Sequence, residues 1–360
     1  GGGAEGQGVG AVSESGFREI LHRRVAERVA GMPEPEAVEW IAGHGLLSMA
    51  ACAALPAGVR ERLRDHARGV VAHNLLAVAR FRDVVAALDG IPVCPLKGIH
   101  LLDTVYLDDP GSRPLADVDL LVPAGRLEDA VARLEDALGL AELPGSRRLR
   151  RIYPERILVE RSFVLELHGR LGYKHGWAST WSDLAPVPAR VHGCPVHALD
   201  RETTLVHLVT HLVKHEPFSR LVWVEDVLRW VASEVNSDRA LERARRVGGL
   251  RSFVAGVRAL RWLAGEDFLP GVPAGVGGPG QRLLLVNERR LWGALRGGRL
   301  PDPVAAGSAR SRIGSALSAL LLADGPRHAV RIVGVKGAEL LLRRRAPTGS
   351  PPASAGKVEQ

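Results

Sequence analysis

The sequence predicts an α+β protein, a small mixed sheet flanked by N- and C-terminal helical segments. Two observations carry this. Apolar residues recur at helical spacing from about 15 to 88 and again after 201. Between 91 and 200, short apolar runs of strand length alternate with helical stretches. With 360 residues, 46% of them hydrophobic and 24% charged, the chain is long enough for two or three domains and a sizeable core. The expected organisation is a flexible tail over 1–14, a helical segment over 15–90, an α/β core over 91–200, a helical substrate or packing domain over 201–345 and a disordered tail over 346–360.

Phe17, Ile20 and Leu21 open the first helix, and Val38, Ile41, Leu46 and Leu47 mark the second. Leu63, Val70, Val71, Leu75, Leu76, Val78 and Phe81 lie on a long third helix that ends at the turn pair Asp89-Gly90. Ile91 to Leu96 reads as a strand, after which Lys97-Gly98 turns into a helical stretch through Leu101, Leu102 and Val105. Asp108-Asp109-Pro110-Gly111 is a turn. Asp117 to Val122 is the next strand, and Leu127 to Leu138 an amphipathic helix stopped by Gly139. Arg147, Arg148, Arg150, Arg151, Arg156 and Arg161 suggest a solvated hairpin with a possible anion contact. Phe163 to His168 is a third strand, with Phe163, Leu165 and Leu167 on one face and Val164, Glu166 and His168 on the other. Helical spacing resumes at Leu205, Leu208 and Leu212, then at Leu221, Val224, Val227 and Leu228, then at Val257 and Leu260. Gly271 to Gly280 reads as a linker, with further helices over 281–345.

The formal charge of +8 suits an anionic partner such as a nucleotide, and nucleic acid is allowed but not specifically indicated. Lysine occurs only at 97, 174, 214, 336 and 357, so the charge is nearly all arginine, as G+C-rich coding produces. Three scattered cysteines, Cys52, Cys94 and Cys194, fit a reducing compartment. No apolar run reaches the roughly 18 residues of a membrane span, so a cytoplasmic protein without a membrane partner is expected.

Asp117 and Asp119 carry the chemistry. Residues i and i+2 of a strand share a face, with α-carbons about 6.5 Å apart, so two carboxylates converge there on one or two hard cations. Such cations leave positions open for phosphate. Glu166, on the less apolar face of its strand, is the candidate third carboxylate, with His168 beside it. Lys97-Gly98 fits a phosphate-facing turn, in which glycine admits the backbone and lysine adds a charge. Arg113, four residues before Asp117, is placed to neutralise phosphate.

Leu96-Lys97-Gly98, Tyr106, Asp109-Pro110-Gly111 and Arg113-Pro114-Leu115-Ala116-Asp117-Val118-Asp119-Leu120-Leu121-Val122 together resemble the uncharacterised bacterial nucleotidyltransferases of NTP-transferase-5 type. That family belongs to the DNA polymerase beta-like superfamily, and its relatives often accompany peptide natural-product gene clusters. Leu165-Glu166-Leu167-His168 and the stretch from His211 to Asp226 resemble later parts of the family. The resemblance implies a polymerase beta-like core, Mg²⁺ or Mn²⁺ held by Asp117, Asp119 and Glu166, and an NTP, by default ATP, oriented by Lys97, Gly98 and Arg113. His168, His211 and Asp226 then belong to a possible substrate pocket, shaped by the helices after 201.

The expected reaction moves a nucleoside monophosphate from NTP to a hydroxyl or phosphate acceptor and releases pyrophosphate. A peptide natural product, a small molecule, a protein side chain and RNA are all open as the acceptor. Lys97-Gly98 replaces the superfamily's usual Gly-Ser or Gly-Gly pair, which keeps a catalytically silent nucleotide-binding module as the alternative. A phosphotransferase has less behind it, for no glycine-rich phosphate loop is present. His207, His211 and His215 share a helix face, where packing or substrate contact is the default over zinc.

Overall fold

A computed structural model of the chain describes residues 14–143, 154–172, 179–214, 220–232, 235–264 and 268–273. Arg147, Arg148, Arg150, Arg151, His215, most of the Gly271–Gly280 run, the helices expected over 281–345 and both expected tails but for Glu14 lie outside the described residues.

Three helices precede the sheet: α1 (Glu14–Val29), α2 (Glu34–Gly43) and α3 (Ala57–Ala87). Pro33 and Pro56 stand just before α2 and α3, where a fixed φ and a missing N–H cost a helix start nothing. The second helix stops at Gly43, before Leu46 and Leu47, which enter a short 3₁₀ turn instead. Along α3 the buried residues Val59, Leu63, Asn74, Ala77, Phe81 and Val84 follow helical spacing and face the core. Leu75 and Leu76 point away and stay exposed.

The sheet strands are β1 (Cys94–Leu96), β2 (Val118–Leu121), β3 (Ala141–Glu142), β4 (Glu155–Glu160) and β5 (Phe163–His168). Their order is β1-β2-β5-β4-β3. The central pair β2 and β5 runs parallel, and the other pairs are antiparallel. Helix α4 (Lys97–Leu102) follows β1 directly, and α5 (Leu127–Leu138) links β2 to β3. Gly139, at φ 67°, closes α5 in the left-handed region that favours glycine. Strands β2 and β5 are buried through Val118, Leu120, Leu121, Leu165 and Leu167, which anchor them in the core.

A short helix α6 (Trp181–Leu184) leads into a separate hairpin of β6 (Val187–Val191) and β7 (Cys194–Ala198). The hairpin is tied to the segment before β1 by a His197 N–H donated to the Val93 carbonyl at 2.8 Å. Helices α7 (Arg201–Lys214), α8 (Val222–Val231), α9 (Ser237–Arg246) and α10 (Leu250–Ala264) complete the described chain. The first helix packs on α8 and α10, so N- and C-terminal helices meet in one continuous apolar core with the sheet. Among the described residues no helix is long and apolar enough to cross a membrane.

Candidate active site

Sheet register assembles the site. Asp119 lies opposite Leu96 on β1 and opposite Glu166 on β5, and His168 follows Glu166 on the same face. Asp119, Glu166 and His168 each offer a ligand atom, and the three atoms lie within 4.8 Å of one another. His168 Nε2 is 2.9 Å from Asp119 Oδ1 and 3.6 Å from Glu166 Oε2, while its Nδ1 is 3.8 Å from Glu155 Oε2. The ring is therefore wedged among three carboxylates.

Lys97 adopts φ 47°, a strained conformation for a residue with a side chain. This lets α4 begin where β1 ends, and it brings Nζ to 2.6 Å from Asp119 Oδ1. Burial disfavours the Lys97 charge, but Asp119, then Glu166 and Asp117, outweigh it and raise the pKa above the ordinary lysine value. Burial likewise opposes charge on Asp119, yet Lys97 and His168 hold its carboxyl well below the usual range. Glu166 moves the other way, raised by burial and by the nearby Asp119. Asp117, just ahead of β2, is also raised by burial and by Asp119, against the pull of Lys97 and Arg113. The face therefore carries more carboxylates than one ammonium can match, a field that favours a multivalent cation.

Gly98 and Arg113 are packed together. A Cβ on Gly98 would fall 2.5 Å from Arg113 Nη1 and 2.5 Å from Leu115 Cδ2. Arg113 is buried and grips Asp226 in a fork, Nε to Oδ1 at 3.1 Å and Nη2 to Oδ2 at 2.9 Å. Tyr106 donates its hydroxyl to the same Oδ1 at 2.9 Å. The Arg229 guanidinium lies 4.3 Å from the Tyr106 ring centre and donates to Glu225 at 3.0 Å. Glu225 in turn accepts from Ser48 at 2.8 Å, which joins α8 to the turn after α2. His211 is buried, its ring 4.9 Å from Trp223 and 6.3 Å from His207.

The structure thus brings together Lys97, Asp117, Asp119, Glu166 and His168. It places Arg113 and Asp226 in a neighbouring ion pair, and His211 in helix packing. A cavity of about 360 Å³ opens beside Asp117, walled by α3 and the β4–β5 turn. Arg156, expected in a solvated hairpin, is instead buried in β4 and paired with Glu128.

Three residues escaped the sequence reading. Asn74 is 1% exposed, donates to the carbonyls of Pro110 and Arg113 at 2.7 and 2.9 Å, and accepts from Leu115 N–H at 3.2 Å. It pins the loop that carries Arg113 towards Asp117. Its signal was available, a polar residue in phase with the apolar stripe Leu63, Ala77, Phe81. Glu155 stands across from His168 in the β4–β5 register and lies in no motif. Arg220 precedes α8 and forms no ion pair with the described residues. Burial, then Arg113, lower its pKa, while Asp117 and Asp226 oppose the shift.

A strand-borne carboxylate pair across parallel β2 and β5, in a mixed sheet packed among helices, fits a nucleotidyltransferase-like core. The chain belongs to the uncharacterised nucleotidyltransferase family, whose model matches residues 27–265. No curated protein and no solved structure matches it.

Proposed function

We propose that the chain moves a nucleoside monophosphate from an NTP to an acceptor with the help of Mg²⁺ or Mn²⁺, releasing pyrophosphate. The observation that carries this is the convergence of Asp119, Glu166 and His168 within 4.8 Å, in a field too negative for Lys97 alone to balance. Carboxylate oxygens suit such ions, and Asp119 and Glu166, with Asp117 at the edge, are the residues to hold them. A bound divalent cation supplies charge stabilisation for the phosphoryl oxygens. Nucleotidyl transfer forms a bond from the acceptor oxygen to the α-phosphorus, breaks the bond from that phosphorus to the oxygen that leaves with pyrophosphate, and, for a hydroxyl acceptor, releases the hydroxyl proton to water.

The chain's own residues then do four things. His168 orients Asp119 through its 2.9 Å contact. Lys97 balances Asp119 before substrate arrives and is the nearest ammonium for phosphate. Arg113 is held by Asp226 and positions Gly98 and the Asp117 loop. Arg220, whose charge interacts with Asp117 and Asp226, is a further cation for the triphosphate. ATP is the first NTP to test.

A second reading is favoured by one observation. The Lys97 ammonium occupies Asp119 at salt-bridge distance, as it would in a silent nucleotide-binding module. NTP labelled at the α or the γ phosphate separates the readings. With Mg²⁺ or Mn²⁺ and a panel of acceptors, α-label transfer is expected. Nucleotide binding without transfer would point to the silent module, and γ-label transfer to a phosphotransferase.

A further inference from the structure

We propose that the cavity between α3 and the β4–β5 turn seats the acceptor, a hydroxyl-bearing small molecule with an apolar or aromatic body and an acidic group. The proposal rests on the transfer reading above, because Asp117 is what joins this cavity to the carboxylate face.

Leu76, Ala77 and Phe163 form an apolar wall, and Asp117, Arg80 and Arg161 bring charge to it. A volume of about 360 Å³ lies in the range of pockets that bury a small organic molecule. Leu76 is 69% exposed, and a single exposed leucine would mean little. Here it faces a concave surface that also holds a partly buried phenylalanine, an arrangement that gains by covering with apolar matter.

Charge decides between occupants. Arg80 is already engaged by Asp83 and Glu160, and lies 6.0 Å from the Phe163 ring centre. Arg161 makes no ion pair with the described residues. One unmatched guanidinium is too little for a triphosphate and superfluous for a neutral nucleoside. It matches one carboxylate, sulfate or phosphate on an acceptor. The phosphates have a cation of their own outside this cavity, Lys97, whose Nζ lies 2.6 Å from Asp119 Oδ1 on the carboxylate face.

Two substitutions test the site at little cost to the fold. Leu76→Asp alters a side chain already in water. Arg161→Gly removes the guanidinium at φ 50°, where glycine is the more comfortable residue. The probe is 8-anilinonaphthalene-1-sulfonate, an aromatic body with one anionic group, titrated into the full chain by fluorescence. Binding of α,β-methylene-ATP with Mg²⁺ is measured separately by calorimetry. Each variant is expected to weaken the probe about 10-fold, the loss of one charged contact or apolar wall, with nucleotide affinity unchanged. Probe and nucleotide are expected to bind together. Displacement of the probe by the nucleotide would make the cavity the nucleoside seat and overturn the proposal, as would probe binding indifferent to both variants. A wild-type chain that binds probe but no nucleotide would instead overturn the transfer reading, and the acceptor assignment with it.

Discussion

Two clusters of buried charge lie side by side, and they use the same residue types to different ends. Around Asp226 the accounts balance: Arg113 and Arg229 face Asp226 and Glu225, with Tyr106 and Ser48 supplying further hydrogen bonds. Around Asp119 they do not. Asp117, Asp119, Glu166 and Glu155 crowd on Lys97 and His168, and Glu166 and Asp117 are pushed towards protonation. A balanced buried network holds elements together, whereas an unbalanced one is stabilised by a charge brought from outside.

The contrast breaks first at Asp119. Asp119→Asn is expected to cut α-phosphate transfer by about 10²–10³-fold or more, the scale for losing one preorganised electrostatic contact, while circular dichroism stays native. Retained turnover would remove Asp119 from the site. Asp226→Ala is expected to act on the fold, costing about 3–5 kcal/mol in urea unfolding because Arg113 is left buried and unpaired. Replacing both partners, Arg113→Met with Asp226→Leu, should recover much of that loss. A pair that tolerates Asp226→Ala would not be structural.

Metal sharpens the comparison further. Mg²⁺ or Mn²⁺ at about 100 times its Kd should stabilise the chain by about 2.7 kcal/mol in thermal unfolding, and Asp119→Asn should abolish the effect. Lys97→Met frees the Asp119 carboxylate, so the metal should bind it more tightly while transfer falls. Unchanged metal affinity in that variant would argue that ammonium and cation do not compete.

The balanced side should also carry a pH signature. Burial, helped by Arg18 and Arg229, pushes the His22 imidazole down to about 4, and burial does the same to His100. Both are neutral in the fold, so between about pH 6.5 and 4 the unfolded chain binds more protons. Stability is then full above pH 6.5 and falls on acidification, by about 1.4 kcal/mol per pH unit for each histidine. His22→Gln should remove its own share, about 1.4 kcal/mol per pH unit, and an unchanged slope would place the dependence elsewhere. The smallest effect belongs to the exposed pair of Arg68 and Asp65, where Asp65→Asn should change stability by less than about 0.5 kcal/mol.

Much of the fold was legible because its signals are local. The helices of 57–87, 127–138, 201–214 and 222–231 repeat apolar residues at helical spacing, and the strand 163–168 sets Phe163, Leu165 and Leu167 on one face. Strands β4, β6 and β7 were missed because arginine, proline and short length hid their alternation. Helix α9 was missed for a similar reason, since arginines crowd its exposed face and only Ala240, Leu241 and Ala244 are buried. Asp119, Glu166 and His168 were legible as residues that share strand faces. Which cation meets which carboxylate was not, since partners 22 to 113 residues apart follow from packing alone.

The sequence by itself determined the kinds of element and the spacing that sets carboxylates on one strand face. It also carried enough motif to mark a nucleotidyltransferase. Only the tertiary structure decided that Lys97 sits on Asp119, that Arg113 belongs to Asp226, and that a cavity opens beside Asp117. Strand period and helix spacing are properties of neighbouring residues. Charge pairing depends on which strands lie parallel and what burial leaves within reach, and the folded chain sets both.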